Sequence, residues 1–306
     1  MGILVIGATF VDIKGFPFDN YLPTGRNAGR VEYVHGGVAR NVVEDIANVE
    51  LRPTFLSIVD DSPMGDAVIK KLQNHKVNTD YVLTRPDGMG TWLAVFDNNG
   101  DVAGSISKRP NMYPIAELLE EKGDEIFSCV PSVVLEVGLD KEIVKGTLAL
   151  AKKHNVKTFA LVANMSIAAE RRDLLQQFDC VICNQQEAGI LFLDDYEGKS
   201  PAQMRDILAE RIVAANIPAM VVTMGAEGSV YANLQGETGI CPARKVQVKD
   251  TTGAGDSFCA GVAIGMTYGK TMAESVEIGT TLAASVITSS ENVCPRFRPE
   301  EFGIVL

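Results

Sequence analysis

No apolar run in this chain of 306 residues approaches the roughly 18 residues that a helix needs to cross a bilayer, which predicts a soluble protein. Positive charge is scarce: 28 Lys and Arg face 39 Asp and Glu, for a formal net charge of −11 and an isoelectric point near 4.9. With no Lys/Arg block to offset that balance, nucleic acid and anionic membrane are excluded as general partners. A nucleotide substrate is not, since it asks only for a local positive field and a divalent cation. Cysteine is sparse too, with six residues at 129, 180, 183, 241, 259 and 294, mostly inside apolar runs and with no secretory signal. They read as reduced thiols of a cytoplasmic protein. Cys180 and Cys183 form the one close pair, in a strand-like run with no second pair to complete a zinc site. Internal repeats and low-complexity tracts are lacking.

What the chain does have is 46% hydrophobic content, enough for a large core, in alternating strand and helix signals. Short apolar runs at 3–7, 55–59, 132–136, 157–163, 179–183 and 218–223 read as buried strands. Helical patterns over 64–71, 141–153, 169–176, 258–268 and 273–288 fall between or after them. That alternation implies an α/β fold with a mostly parallel sheet covered on both faces, in one main domain. Strand-like alternation at 31–35 and a hairpin at 91–97 and 102–107, turning at Asn98 to Gly100, stand outside it and suggest a small second sheet. Residues 229–232 and 239–248 read as antiparallel strands.

The chemistry concentrates in Asp250 to Phe258, where Thr251, Thr252, Gly253, Ala254, Gly255 and Asp256 run into an apolar helical segment. The N–H groups of Gly253, Ala254 and Gly255 are expected to point out of a helix N-terminus, where donors lack partners and the macrodipole favours an anion. Asp256 sits in this electropositive turn, which is expected to hold it ionised and able to accept a proton. Phosphoryl transfer needs such a cradle and such a base. The bland reading is a glycine-rich loop with an Asp at a helix start. The whole string instead resembles the C-terminal signature of the ribokinase-like (PfkB) family of sugar and nucleoside kinases. That resemblance implies a three-layer α/β/α fold with a small β lid, contributed here by about 13–35 and 88–108 of a single domain spanning 1–306.

Other segments match the same family in order. Asp12, five residues beyond Gly7, reads as a carboxylate just past a strand end, free for hydroxyl groups or for solvent. Gly36 and Gly37 lead into a helical pattern with Asn41 one turn in, permitting close backbone approach to a ligand. The resemblance implies that Asp12, Gly36, Gly37 and Asn41, with Glu136 at its strand end, bind the acceptor. Asn184 to Glu187 opens a helix, and Thr223, Gly225 and Gly228 follow a strand. Taken alone these are a polar helix start and a glycine turn. By resemblance Asn184 and Glu187 handle phosphates and Mg²⁺ through water, Thr223, Gly225 and Gly228 contact ATP, Thr280 lies by the adenine, and Asp250 marks a site for K⁺. Gly265 to Thr271 mimics a Walker A loop, but it has three residues between its glycines and ends a helix, so it is rejected.

The reading is therefore an ATP-dependent kinase of a primary hydroxyl on a sugar or nucleoside, with Asp256 as base and a homodimer joined through the lid. Val11 to Gly15, Gly36 to Asn41 and Phe96 to Gly100 resemble the pseudouridine kinases of the family, though Pro110 to Met112 departs from them. A phosphosugar kinase needs a basic cluster near the lid, for which Lys108 and Arg109, beside His35, are the local supply. A non-catalytic binding protein on the same fold is the rival of another class.

Overall fold

The structure, a computed structural model, describes residues 2–163 and 165–305. In chain order its strands are β1 (Leu4–Ile6), β2 (Phe10–Pro17), β3 (Gly29–Gly36), β4 (Thr54–Val59), β5 (Asn78–Thr84), β6 (Gly90–Phe96), β7 (Val102–Lys108), β8 (Ser132–Glu136), β9 (Lys157–Leu161), β10 (Cys180–Asn184), β11 (Ala219–Thr223), β12 (Ser229–Asn233) and β13 (Thr238–Cys241). The helices are α1 (Val38–Asn48), α2 (Pro63–Asn74), α3 (Tyr113–Phe127), α4 (Lys141–His154), α5 (Met165–Ala169), α6 (Arg172–Leu175), α7 (Gln185–Phe192), α8 (Pro201–Ala215), α9 (Ala254–Thr267) and α10 (Met272–Val286).

Nine strands form one sheet in the order β13-β12-β11-β10-β9-β8-β1-β4-β5, parallel except for β12 and β13. Its central strands are mostly apolar on both faces because alternate residues enter different cores. Leu4, Ile6, Leu56, Ile58, Val133 and Leu135 pack with α3, α4 and α8 on one face. Ile3, Val5, Phe55, Val59 and Val134 pack with α1, α2, α9 and α10 on the other. This gives three layers. Helix α9 is buried from Ser257 through Gly265, and a Cβ on its Gly261 would lie 2.5 Å from the Gly279 Cα. Only glycine lets α9 and α10 approach so closely.

A second sheet, ordered β3-β2-β6-β7, rises from the end of β1. Strand β2 pairs antiparallel with β3 and parallel with β6. In the large sheet, chain order reverses at β1, whose neighbours are β8 on one side and β4 on the other. Such a reversal leaves a crevice beyond the carboxyl ends of the strands, and here Gly7 and Glu136 flank it.

Several expectations need correction. Asp12 lies inside β2 and not in a turn after β1. The strand expected over 239–248 stops at Cys241, because Pro242 has no N–H to continue the ladder. The helix expected over 169–176 is two short ones, α5 and α6, broken near Arg171. Helices α3 and α8 were not anticipated. The Walker-like segment ends α9, and Thr271 caps α10 through a reciprocal bond pair with Glu274.

Candidate active site

Helix α9 begins at Ala254 because Gly253 adopts φ +83°, with a site for Cβ only 2.1 Å from the Asn292 carbonyl oxygen. Upstream, the Thr252 N–H donates to Asp250 Oδ1 at 2.8 Å, fixing the entry to the turn. Burial is the largest single influence on the Asp250 carboxyl and raises it, but the bonds from Thr252 and Thr251 and the charge of Lys14 together outweigh it and hold the carboxyl below its ordinary value. Of the three amides expected to be free, Ala254 is not: its N–H donates to the Thr251 carbonyl at 3.2 Å. The N–H groups of Gly253, Gly255 and Asp256 have no acceptor among the described residues. Beside Gly255 there is open space. The unpaired donors at the start of α9 are thus Gly253, Gly255 and Asp256, with Asp256 in place of the expected Ala254.

Asp256, on that turn, meets Asn41 of α1, whose Nδ2 donates to Asp256 Oδ2 at 2.6 Å. The other end of the amide, Asn41 Oδ1, is buried with no donor. An unpaired buried acceptor costs about 1–3 kcal/mol, and an incoming hydroxyl would relieve that cost. The expectation that the turn keeps Asp256 firmly ionised also needs correction. Its pKa is pushed up to about 7, first by burial and further by the charges of Glu136 and Asp12, against the lowering effects of Asn41 and Arg40. Burial likewise raises the carboxyls of Glu136 and Asp12. Glu136 accepts the Ala8 N–H at 2.9 Å, holding the chain after β1 against the end of β8. A Cβ on Gly36 would lie 2.4 Å from Asp12 Oδ1, and one on Gly37, at φ +98°, would lie 2.6 Å from the Ala8 carbonyl oxygen. Asp12, Gly36, Gly37, Asn41, Glu136 and Asp256 therefore converge on the crevice.

Helix α1 carries more of this assembly than expected. Arg40, 1% exposed, donates to the carbonyls of His35 and Gly36 and pairs with Glu44 at 2.6 Å, while Lys71 of α2 meets the other Glu44 oxygen at 2.9 Å. Asp45, fully buried, accepts the Ser257 hydroxyl at 2.7 Å and the Cys294 N–H at 2.6 Å. Burial pushes its pKa up to about 7, and no cation among the described residues offsets it. Asn48 donates to the Cys294 carbonyl at 2.6 Å, and Asn292 donates to the His35 carbonyl at 3.1 Å. One helix thus ties the end of β3, the start of α9 and the segment after α10 into one body. The signal for it was present: Arg40, Asn41, Glu44, Asp45 and Asn48 recur at helical spacing on an otherwise apolar helix.

The remaining motif residues are spread along the other half of the crevice. Asn184 and Glu187 form a reciprocal cap at the start of α7, each side chain accepting the other's N–H at 2.8 Å. Burial raises the Glu187 carboxyl. Thr223 ends β11, and Gly225 (φ +57°) and Gly228 (φ +95°) bound a 3₁₀ turn, with open space beside Gly225. Thr280 is 8% exposed, and its hydroxyl donates to the Val276 carbonyl and lies 3.3 Å from Cys241 Sγ. Lys108 pairs with Asp87 in solvent, and Arg109 acts on Glu136 only through its charge.

The model of the pfkB family of carbohydrate kinases matches residues 2–294. Among curated proteins, the chain is 34% identical over 294 residues to the guanosine-inosine kinase of Exiguobacterium acetylicum, covering 95% of each chain. It is 26% identical to the pseudouridine kinase of Escherichia coli (strain K12), covering 90% of this chain and 86% of the other. Among solved structures, Arabidopsis thaliana ribokinase complexed with ribose and ATP superposes with a TM-score of 0.85, and the match covers 96% of each chain. At 21% identity that last match speaks for the fold alone.

Proposed function

The chain belongs to the pfkB family of carbohydrate kinases and phosphorylates a sugar or nucleoside with ATP; within that class we propose that the acceptor is a nucleoside, phosphorylated on its 5′-hydroxyl. The observation that carries the site assignment is the Asn41 amide, bonded through nitrogen to Asp256 and left with an unpaired oxygen toward the crevice. In this reading the acceptor hydroxyl lies by Asp256, which accepts its proton as the oxygen attacks the γ-phosphorus and ADP departs. The pKa of about 7 suits a base that works near neutrality. The N–H groups of Gly253, Gly255 and Asp256 take the charge that develops on the transferred phosphoryl oxygens. Asp12, Gly36, Gly37, Asn41 and Glu136 hold the acceptor's remaining hydroxyls.

ATP lies along Asn184, Glu187, Thr223, Gly225, Gly228 and Thr280. Glu187 spends one oxygen on the cap of α7, and the other takes no hydrogen bond among the described residues, which fits a carboxylate that holds Mg²⁺ through water. The Asp250 carboxylate, exposed and held ionised, fits a K⁺ site. Bound at these carboxylates, such cations would screen the phosphate charge.

The small sheet serves as a lid on a single kinase domain, from 13–35 and 88–108. On its outer face Tyr33, Ile13, Leu93 and Ile106 form one row across all four strands; Ile13 packs against the core, and Tyr33, Leu93 and Ile106 are exposed at 63%, 41% and 71%. An apolar row of this kind supports a homodimer joined lid to lid. Charges placed at both Tyr33 and Ile106 are expected to yield a monomer in sedimentation. The cytoplasm, which supplies ATP and keeps the free thiols reduced, is the compartment this reading assigns.

The test is ADP release from Mg-ATP with inosine, guanosine, pseudouridine, adenosine, ribose, fructose and phosphosugars. Turnover of a nucleoside at the highest kcat/KM supports the assignment, and preference for a free sugar or phosphosugar overturns it. The phosphosugar alternative is already weakened, because Asp87 occupies Lys108 and leaves Arg109 as the sole free cation of that pair.

A further inference from the structure

Trp92 is the only tryptophan in the chain, and it stands directly beside Asp12 in the register of β2 and β6. Neighbours in register share a face of the sheet, about 4.8 Å apart. The Asp12 carboxylate lies over Gly36 and the Phe10 ring over Gly90 on this same face, and it is the inner one, since the charge of Asp12 reaches the buried Asp256 across the crevice. Further along the same face Phe16 and Phe96 stack at 4.7 Å, and Trp92 meets Phe96 edge to face at 6.4 Å. Arg30 lies over the Phe16 ring. The outer face of the same strands carries aliphatic residues with Tyr33, beside His35, Thr91 and Lys108. Aromatic area is therefore concentrated next to the carboxylate that faces the acceptor, in a sheet whose tip is otherwise polar.

Ring geometry gives this placement a meaning. In a nucleoside the base leaves the ribose at C1′, beside the carbon that bears the 2′-hydroxyl and on the other side of the ring oxygen from C5′. If the 5′-hydroxyl lies at Asp256 and the ring hydroxyls lie at Asp12, the base emerges alongside the residue next to Asp12. We propose that the base packs against Trp92 on the inner face of the small sheet, so that Trp92 selects acceptors carrying a planar ring over free sugars. The inference rests on the nucleoside reading above and sharpens it. The indole supplies a flat apolar surface, and the Phe16 and Phe96 pair behind it fixes the ring in place. A free sugar leaves that surface uncovered.

The lone tryptophan makes the test direct, because all indole emission reports this position. Inosine or guanosine titrated without ATP should change the emission saturably, and ribose should leave it unchanged. Stacking of one base is worth enough to predict a rise in nucleoside KM of roughly 10- to 100-fold in Trp92→Ala, with kcat at saturation kept within about threefold. Trp92→Phe, which keeps a ring against Phe96, should stay within about fivefold of the wild type. An unchanged nucleoside KM in Trp92→Ala, or equal emission changes with ribose, overturns the proposal while the kinase assignment stands. Wild-type turnover of ribose but of no nucleoside overturns the nucleoside reading and this inference together.

Discussion

The two halves of the crevice are built differently. On the acceptor side, contacts join residues far apart in the chain: Asn41 to Asp256 across 215 positions, Asp45 to Cys294 across 249 and Ala8 to Glu136 across 128. On the nucleotide side they are shorter in range: the cap between Asn184 and Glu187 spans three positions, the turn runs from Gly225 to Gly228, and the longest, Thr280 to Cys241, spans 39. The acceptor half also holds three of the raised carboxyls, Asp12, Glu136 and Asp256, against Glu187 alone on the other side, and it holds the unpaired amide oxygen. The difference teaches where strain is kept. In the proposed reading, polyphosphate would be met by turns that form from local sequence, whereas the hydroxyl and its proton would be met by groups that only the completed fold brings together, at a cost to stability.

The comparison can be broken most forcefully at its centre. Asp256→Asn removes the proton acceptor, and a fall in kcat of roughly 10²- to 10⁴-fold is expected, with nucleoside affinity within a few-fold of wild type. Unchanged turnover would take Asp256 out of the base role. Asn41→Ala loses both the bond to Asp256 and the orphan acceptor, so acceptor kcat/KM should drop roughly 10- to 100-fold while the KM for ATP holds. Equal effects on both substrates would dissolve the division into halves. Asn184→Ala probes the other side: loss of the cap should cost about 1 kcal/mol in a melting experiment and raise the KM for ATP several-fold, leaving the acceptor KM alone. The mildest change, Glu136→Gln, removes a neighbouring negative charge and so should lower the Asp256 pKa, moving the acidic limb of the pH–rate profile to lower pH.

The same division governs what the sequence revealed. The strand and helix alternation, the hairpin with its turn at Asn98 to Gly100, and every motif of the nucleotide half are local patterns, and they could be read as such. Asp12 misled because β2 runs through Gly15 to Pro17, residues that weaken a strand signal. The start of α9 was set late, since the apolar period begins at Phe258 whereas the left-handed Gly253 starts the helix at Ala254. That displacement also explains why the Ala254 amide is absorbed into a turn. The α1 network, with Arg40, Asp45 and Asn48 holding segments from opposite ends of the chain, depends on contacts that no local window contains. The pKa of Asp256 was misjudged for a related reason: the donors in its own turn were visible, but burial and the charges of Glu136 and Asp12 belong to the folded crevice.

The central claim is that Asp256 is a base tuned by that crevice. Its most direct test is the pH dependence of kcat/KM for the acceptor, in the wild type and in Glu136→Gln, over roughly pH 5 to 9. The account predicts activity that rises with pH to a plateau through an apparent pKa of about 7, with the rise displaced to lower pH in the variant. A flat wild-type profile, or a rise that stays in place when Glu136 loses its charge, would contradict it.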